Sequence, residues 1–158
     1  MSERSQLFSS AVPKMPLMNP NGNAQPNLVP IPGAPKPAFR VLVVDDDPMI
    51  RSLLCAIFKR VGYETEIAKD GISALEKATQ SHFDLIMSDL RMPGMWGTEL
   101  YQRLKEVRPE LAQRMVFASS ESLSADLKQF FQSSGRPYLR KPFSNDEVRK
   151  LAAEVCAS

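Results

Sequence analysis

The feature that most constrains the fold is a fivefold alternation of short apolar runs with amphipathic stretches, which starts at Phe39 and continues to the end of the chain. The first run, residues 41–44, is continuous and rich in β-branched side chains, as expected of a strand that is buried on both faces. The stretch after it has apolar residues at helical spacing between Pro48 and a glycine stop at Gly62. The predicted strands are residues 41–44, 63–68, 83–88, 115–118 and 137–140, and helices are predicted over 72–79, 98–107, 123–133 and the last residues of the chain.

Five strand-and-helix units in succession predict an α/β fold, a doubly wound parallel sheet with helices on both faces. The length after Phe39 suits the smaller, flavodoxin-like version, with five strands in the order 2-1-3-4-5. In such sheets, ligands bind beyond the carboxyl ends of the strands, where the strand order reverses. Functional side chains are therefore expected directly after strands one, three, four and five.

The first 38 residues have a different composition from the rest. They contain eight of the 13 prolines and show no sustained period of two or 3.6. Such a segment buries too little apolar surface to offset the entropy of ordering it. We predict a disordered Pro-rich N-terminal arm over residues 1–38 and a folded domain over residues 39–158. The arm is either a tether or, through pieces such as residues 29–37, a docking peptide, and the tether is favoured because proline-rich spacers need no partner.

Charge and composition argue against several classes of function. Residues 1–40 carry four basic side chains against one acidic, whereas the remainder is nearly neutral, with 16 basic against 17 acidic. A neutral domain lacks the positive field that non-specific nucleic-acid binding requires. No apolar stretch approaches the roughly 18 residues that span a bilayer, so we expect no membrane association and a cytoplasmic location. Cys55 and Cys156 fall in predicted helices, and a cytoplasmic thiol pair of this kind is usually reduced.

Acidic, hydroxyl and basic side chains follow the predicted strands at the edge where ligands bind. Asp45 and Asp46 follow strand one, and Asp89 follows strand three. Two carboxylates about 5 Å apart repel each other by roughly 3 kcal/mol at an effective dielectric near 20, so such a cluster needs a cation. Hard carboxylate oxygens suit Mg²⁺. The three aspartates, together with Ser119 after strand four and Lys141 after strand five, indicate a phosphoryl-binding site.

Each of these residues also has an ordinary structural explanation. Asp46 or Asp47 could cap the helix that begins near Pro48. Ser119 could cap the fourth helix, and Lys141 could be a solvated surface charge. For the serine and the lysine taken singly, the ordinary explanation is favoured. Taken together, however, the acidic residues, the serine and the lysine follow four different strands. This joint occurrence favours a binding site, because ligands are expected at that edge of the sheet.

Four sequence motifs resemble the signature of response-regulator receiver domains from two-component signalling. They are Val43-Val44-Asp45-Asp46, Asp89-Leu90-Arg91-Met92-Pro93-Gly94-Met95, Ser119 and Lys141-Pro142-Phe143. The resemblance covers residues 39–158 with fitting spacing throughout, and residues 135–143 resemble receivers attached to hybrid histidine kinases. The fold that it implies is the one predicted above from the strand and helix pattern.

The resemblance implies a role for each residue of the predicted site. Asp89 is the phospho-acceptor, which takes a phosphoryl group from a sensor histidine kinase or a histidine phosphotransfer protein as an acyl phosphate. The cofactor Mg²⁺ is ligated by Asp46, Asp89 and the main-chain carbonyl of Arg91, and by Asp45 through water. The Lys141 ammonium stabilises the charge on the phosphoryl oxygens.

The resemblance also implies a conformational switch. Ser119 supplies a hydroxyl that bonds the new phosphoryl group, and Tyr138 turns from solvent toward the space that the hydroxyl leaves. Both changes alter the surface of the fourth helix, the fifth strand and the fifth helix. In this family, that surface contacts a downstream protein target or a second receiver, which includes a phosphorylation-dependent homodimer. A cis peptide before Pro142 is expected, and it would aim Lys141 into the site.

Other residues are less predictable from the family pattern. Arg91 and Glu121 stand at positions that flank the route of water to the phosphoryl group, and we hypothesise that they form an opposed pair that slows hydrolysis. Trp96 is either a partner anchor or a residue that packs onto the domain. Asp47 is expected to cap a helix, and His82 is expected to lie on the surface.

The leading interpretation is a stand-alone regulator that acts by phosphorylation-dependent protein contact, because no room for a DNA-binding module follows the fifth helix. Catalysis would be limited to its own phosphorylation and dephosphorylation. A constitutive adaptor, which binds partners whatever the state of Asp89, is the alternative. A phosphohydrolase acting on external substrates is a third class. Arg91 argues against it, because phosphohydrolases with an aspartate nucleophile keep an acid two residues later.

Overall fold

The computed structural model describes residues 38–120 and 122–158. Within these residues the chain forms five strands and six helices. In chain order they are β1 (Arg40–Val44), α1 (Pro48–Arg60), β2 (Glu64–Ala68), α2 (Gly71–Gln80), β3 (Leu85–Asp89), α3 (Gly97–Val107), α4 (Pro109–Ala112), β4 (Met115–Ser119), α5 (Ala125–Ser134), β5 (Tyr138–Arg140) and α6 (Asn145–Cys156).

The strands of the described part of the chain lie in one parallel sheet with the order β2-β1-β3-β4-β5. β1 lies between β2 and β3, with Val41 opposite Thr65 on one side and Leu85 on the other. The predicted order 2-1-3-4-5 is therefore confirmed. Because the strand order reverses at β1, the carboxyl ends of β1 and β3 lie side by side, which is where such sheets bind ligands.

Alternate residues of the central strands enter two separate hydrophobic cores. Val41 and Val43 pack among side chains of α1 and α6, whereas Leu42 and Val44 pack among side chains of α2, α3 and α5. All four are fully buried, which explains why this strand is a continuous apolar run in the sequence. Helices thus cover both faces of the sheet, as predicted.

The observed elements differ from the predicted ones by at most two residues at each end, and one helix was not predicted. The third predicted strand, residues 83–88, is observed as Leu85–Asp89, so Asp89 is the last residue of β3. Pro109 begins the one-turn helix α4, because proline fits the first helical position. The predicted fourth helix is therefore α5, and the predicted fifth helix is α6.

The helices are short. The longest of those in residues 38–120 and 122–158 is α1, with 13 residues. None of the helices formed by this part of the chain combines the length and the apolar character that a bilayer crossing requires. The predicted arm lies outside the described residues up to position 37, so its order and the domain boundary stay predictions.

Candidate functional site

The loop after β1 brings two carboxylates to the carboxyl edge of the sheet. Asp45 follows directly on β1 with only 2% of its side chain exposed, whereas Asp46 is exposed to solvent. Asp45 Oδ1 accepts a hydrogen bond from the main-chain N–H of Asp47 at 2.9 Å. The Asp47 side chain in turn accepts from the N–H of Met49 at 2.8 Å and caps α1. The predicted capping role of Asp47 is confirmed, and Asp46 is not the capping residue.

The third carboxylate lies at the end of β3. The Asp89 side chain is 12% exposed, and its Oδ1 accepts from the main-chain N–H of Leu90 at 2.9 Å. Gly97 closes the following loop, because its N–H donates to the Leu90 carbonyl at 2.9 Å. A Cβ atom at Gly97 would lie 2.4 Å from the Asp89 carbonyl oxygen. Gly97 therefore permits the close approach that fixes the main chain of Asp89, a role that strand and helix periodicity does not reveal.

Lys141 lies between the two acidic loops. Its Nζ is 2.9 Å from Asp45 Oδ2 and 3.3 Å from Asp89 Oδ1, and 17% of its side chain is exposed. The main-chain N–H of Lys141 donates to the Ser119 carbonyl at 2.7 Å. The peptide bond to Pro142 is cis, as expected. The interpretation of Lys141 as a solvated surface charge is wrong, because this ammonium joins two acidic loops that come from separate strands.

Burial and charge shift the pKa values of this pocket. Burial raises the pKa of Asp89 above its usual value, the Lys141 charge opposes that rise, and the Asp45 charge adds to it. Burial alone would lower the pKa of Lys141, but the hydrogen bond to Asp45 and the charges of Asp89 and Asp45 together raise it. Lys141 therefore stays a cation at neutral pH. The charged form of Asp89 carries an electrostatic cost that a proton or a further cation relieves.

The three carboxylates form a group of the kind that holds a metal ion. One oxygen from each of Asp45, Asp46 and Asp89 lies within 4.8 Å of the others. Oxygens bound to one Mg²⁺ at about 2.1 Å lie within about 4.2 Å of one another, so modest side-chain adjustment brings the set to that spacing. Lys141 balances only one of the three negative charges. The donor set therefore fits a small, hard divalent cation.

Ser119 and Tyr138 line one cavity beside α5. Ser119 ends β4 and is buried, while α5 is capped by Ser124, so the capping explanation for Ser119 is wrong. Tyr138, on β5, is 43% exposed, and its ring centroid lies 4.5 Å from that of Phe131. The cavity has a volume of about 180 Å³. The two residues of the predicted switch therefore border the same space.

Arg91 and Trp96 contact each other in the loop after β3. The guanidinium carbon of Arg91 lies 5.1 Å from the Trp96 ring centroid, which is cation–π distance. Trp96 is 45% exposed and, with Arg91, lines a cavity of about 360 Å³ that extends to Leu127 and Phe130 of α5. Trp96 thus packs partly onto its own domain and keeps exposed ring surface. Glu121, the hypothesised partner of Arg91, lies outside the described residues.

Arg51 contacts the acidic loop and was missed by the sequence analysis. Its Nη1 donates to the carbonyl oxygens of Asp45 at 2.8 Å and Asp46 at 3.1 Å. A basic residue in the first turn of a helix is ordinarily taken for a solvated charge. The available signal was its position, one helical turn after an acidic loop, but hydrogen bonds to main-chain oxygens leave no pattern in the sequence.

Comparison with known proteins identifies the family. A profile of the response regulator receiver domain matches residues 41–153. The chain belongs to the response regulator receiver family. Sporulation initiation phosphotransferase F of Bacillus subtilis is 34% identical to this receiver over 110 residues, which cover 70% of this chain and 87% of that protein.

Solved structures agree with the fold. Chemotaxis protein CheY4 of Vibrio cholerae is 32% identical, with a TM-score of 0.67, and the match covers 75% of this receiver and 98% of that chain. Response regulator protein TrrA of Thermotoga maritima, solved in complex with Mg(2+)-BeF, is 28% identical, with a TM-score of 0.66 and a coverage of 74% and 98%. The predicted family and the flavodoxin-like fold are confirmed.

Several relatives are much longer than the receiver. The chain spans 46%, 44% and 36% of three transcriptional regulators that it matches, two from Bacillus subtilis and one from Pseudomonas aeruginosa. It spans 11% of the sensor histidine kinase RcsC of Escherichia coli, with 31% identity over 110 residues. Receivers related to this one thus occur both in regulators and in sensor kinases.

Proposed function

We propose that this receiver is a phosphorylation-dependent signalling switch that accepts a phosphoryl group on Asp89. The observation that carries the proposal is the position of the Lys141 ammonium, 2.9 Å from Asp45 Oδ2 and 3.3 Å from Asp89 Oδ1. A half-buried cation held between acidic loops stabilises negative charge at one defined point, as phosphoryl transfer requires. The proposed donor is a sensor histidine kinase or a histidine phosphotransfer protein.

Asp89 is better suited to accept the phosphoryl group than the buried Asp45 beside it. Both oxygens of Asp45 are engaged, one by the Asp47 N–H and the other by Lys141. Asp89 has its Oδ1 held by the Leu90 N–H and Lys141. Its Oδ2 accepts no hydrogen bond from residues 38–120 or 122–158. One oxygen of Asp89 is therefore oriented by the protein while the other is available for attack.

The proposed reaction is the transfer of a phosphoryl group between two side chains. Asp89 Oδ2 attacks the phosphorus of the donor phosphohistidine, so that an O–P bond forms and the N–P bond breaks. The donor imidazole leaves with the electron pair and takes up a proton from solvent, and the product is an acyl phosphate. The Lys141 ammonium remains beside the oxygens that carry the negative charge. Because the acceptor is the receiver itself, we expect no turnover of external substrates.

The magnesium ligands in this proposal are Asp45, through water, and Asp46, Asp89 and the main-chain carbonyl of Arg91. When bound, Mg²⁺ supplies positive charge that neutralises the phosphoryl oxygens. Support comes from the three carboxylate oxygens that lie within 4.8 Å of one another and from the Mg(2+)-BeF complex of the TrrA relative. The imbalance of three carboxylates against one ammonium also favours a second cation.

The proposed switch couples the site to a partner surface. The Ser119 hydroxyl bonds the phosphoryl group, and Tyr138 enters the cavity of about 180 Å³ that it shares with Ser119. Tyr138 is half exposed and stacks at an angle on Phe131 of α5, so its movement changes the exposed side of α5, β5 and α6. That surface is the proposed contact for a downstream protein target or for a second receiver in a homodimer.

Arg91 and Glu121 are proposed to set the lifetime of the phosphorylated form by obstructing the approach of water. Arg91 stacks on Trp96, which places its positive charge in the loop that follows Asp89. Alanine at both positions is expected to speed dephosphorylation. The rate is measured as loss of the phosphoryl group from the intact mass of the protein after the phosphoryl donor is removed. An unchanged rate in the double variant would show that the pair has no such role.

We also propose a role for the N-terminal arm, the absence of a nucleic-acid partner and a cellular location. Residues 1–38 are proposed to act as a tether for the receiver, and the charge of residues 41–158 gives no reason to expect a nucleic-acid partner. A cytoplasmic location follows from the proposed kinase or phosphotransfer donor. None of these expectations affects the chemistry proposed at Asp89.

The deciding experiment measures phosphorylation of the full chain directly. The protein is incubated with Mg²⁺ and a small acyl-phosphate donor, and its intact mass is recorded. We expect a gain of one phosphoryl group per chain, which is lost in Asp89→Asn and when Mg²⁺ is chelated. Asp47→Asn is the matched control, because asparagine caps a helix as well as aspartate and the acidic pocket is kept. This control is expected to label like the wild type.

The other outcomes are equally informative. Absence of labelling in the wild-type chain contradicts the switch and indicates the constitutive adaptor. Continuous release of phosphate from many donor molecules per chain contradicts it in favour of a phosphohydrolase. Labelling that persists in Asp89→Asn shows that another residue is the acceptor.

A further inference from the structure

Arg51 lies in the first turn of α1 and contacts each residue of the acidic loop that precedes this helix. Its Nη1 donates to the carbonyl oxygen of Asp45 at 2.8 Å and to that of Asp46 at 3.1 Å. Its main-chain N–H donates to the Asp47 carbonyl oxygen at 3.1 Å. The Arg51 side chain therefore holds the carbonyl groups of Asp45 and Asp46, while the Asp47 carbonyl is held by an ordinary main-chain bond of the helix.

The acidic loop needs such a restraint because its carboxylates repel each other. The Asp45 side chain is fixed by the Asp47 N–H and by Lys141. Asp46 is exposed to solvent, so the position of its main chain sets the region that its carboxylate can reach. The Nη1 group has two hydrogens in the guanidinium plane and serves two carbonyls at once. A lysine ammonium on its flexible stem is less pre-organised for this.

We propose that Arg51 is a positioning residue for the magnesium ligands. It fixes the main chain of Asp45 and Asp46 so that their carboxylates meet that of Asp89. The inference rests on the Mg²⁺-dependent function proposed above and extends it to a residue that touches neither the ion nor the phosphoryl group. Groups that orient metal ligands typically contribute about 10- to 100-fold to metal affinity.

The sign of the effect separates positioning from simple charge. Arg51 is a cation close to a site for another cation, so its removal would by electrostatics alone strengthen Mg²⁺ binding. If Arg51 positions the ligands, its removal weakens Mg²⁺ binding instead. A role limited to the stability of α1 lowers the melting temperature and leaves the affinity of the folded protein unchanged.

The test is a calorimetric titration of the full chain with Mg²⁺ alone. Arg51→Ala is expected to weaken Mg²⁺ binding by about tenfold or more. Arg51→Lys is expected to fall between the alanine variant and the wild type, because it keeps the charge and loses the planar geometry. Arg60→Ala is the matched control, since it removes the same charge from the far end of α1. Nine residues of helix separate the two arginines by roughly 13 Å, beyond the screening length at 0.1 M salt, so the control is expected to bind like the wild type.

A second readout uses the phosphorylation assay. Within residues 38–120 and 122–158, Arg51 makes no hydrogen bond or ion pair with Asp89 or Lys141, so the labelling rate of Arg51→Ala should approach that of the wild type once Mg²⁺ is saturating. A labelling defect that persists at saturating Mg²⁺ would mean that Arg51 acts on the transfer itself, and it would overturn the positioning role.

Two outcomes overturn the inference in different ways. Unchanged or tighter Mg²⁺ binding by folded Arg51→Ala, with normal binding by the wild type, overturns this inference alone. A wild-type chain that binds no Mg²⁺ overturns the proposed magnesium site and this inference with it. Should Arg51→Ala fail to fold, the affinity of Arg51→Lys decides, and a value equal to that of the wild type overturns the positioning role.

Discussion

The two ends of the sheet treat charged side chains in different ways. At the amino end, Glu64 and Glu66 lie 3.7 Å and 3.3 Å from Arg40, and Asp84 lies 3.8 Å from Arg114. Each of these carboxylates has a basic partner within 4 Å. At the carboxyl end, three carboxylates converge, and the Lys141 ammonium contacts two of them, Asp45 and Asp89.

This difference distinguishes the charges that stabilise the fold from the charges that belong to the candidate functional site. The amino-end pairs are partly exposed, and pairs of this kind contribute modestly to stability. His82 belongs to the same end, where it is exposed and lies 3.1 Å from Asp84, as its predicted surface location requires. Buried, unbalanced carboxylates oppose folding, and proteins concentrate such groups at functional sites. The imbalance of charge, more than the number of charges, marks the site.

The largest expected effect comes from removing the shared ammonium. Loss of one electrostatic stabiliser of a transition state typically lowers a rate by about 10²- to 10³-fold. Lys141→Met should therefore slow the labelling of Asp89 by about that factor, measured by intact mass over time. The amino-end control is Lys77→Met, which breaks a 2.8 Å pair with Glu66.

That control is expected to leave labelling unchanged and to alter the free energy of unfolding by less than about 1 kcal/mol, because both partners are partly exposed. Similar labelling by Lys141→Met and the wild type would remove the distinction between the two ends.

An intermediate effect concerns stability without Mg²⁺. Burial raises the pKa of Asp89, so its contribution to stability is fully present below its unfolded pKa and is lost as the pH rises through the folded value. At neutral pH the charged form opposes folding. Asp89→Asn should then raise the free energy of unfolding by about 1 kcal/mol, as substitutions at strained functional sites commonly do.

The matched change at the amino end is expected to have the opposite sign. Asp84 Oδ2 accepts from the main-chain N–H of Arg40 at 2.8 Å and is paired with Arg114. Asp84→Asn should therefore lower the free energy of unfolding by about 1 kcal/mol. Urea unfolding at several pH values measures both variants, and the gain of Asp89→Asn should shrink at low pH. A loss of stability in both variants would contradict the comparison.

The smallest expected effect concerns an acid at the carboxyl end that has its own partner. Asp70 caps α2 by accepting from the Ser73 N–H at 2.7 Å, and this hydrogen bond lowers the pKa of Asp70. Its contribution is present above the unfolded pKa and is lost as the pH falls through the lowered folded value. Asp70→Ala should cost about 1 kcal/mol at neutral pH.

Asp70→Asn keeps the cap and should remove this part of the pH dependence, which urea unfolding between acidic and neutral pH detects. Labelling of Asp89 should be normal in both variants. A labelling defect in Asp70→Asn would show that position at the carboxyl end, rather than the imbalance of charge, defines the site.

Much of the fold was predictable because it follows from local pattern. A continuous apolar run such as residues 41–44 is stable only in a sheet that is covered on both faces, and five such runs with helices between them allow few topologies. The one-turn helix α4 was not predictable, because four residues carry no period. Its helical state depends on the burial of Leu111 and Ala112, which is a tertiary property.

The candidate site was predictable to the extent that it consists of side chains at strand ends. Asp45, Asp89 and Lys141 converge because parallel strands end at one edge of the sheet. Arg51 and Gly97 were missed because each acts on a main-chain oxygen, one by donating hydrogen bonds and the other by leaving space for close approach. Contacts of that kind depend on the folded path of the chain, which residue types and spacing do not specify.

The stacking of Arg91 on Trp96 also makes the receiver its own optical probe. Trp96 is the single tryptophan of the chain and lies in the loop that follows Asp89. Indole emission is sensitive to nearby charge and to solvent, so the fluorescence of the unmodified protein reports on this one loop. If a cation or a phosphoryl group enters the pocket as proposed, a change in this emission is expected, and it can be recorded in real time without any attached dye.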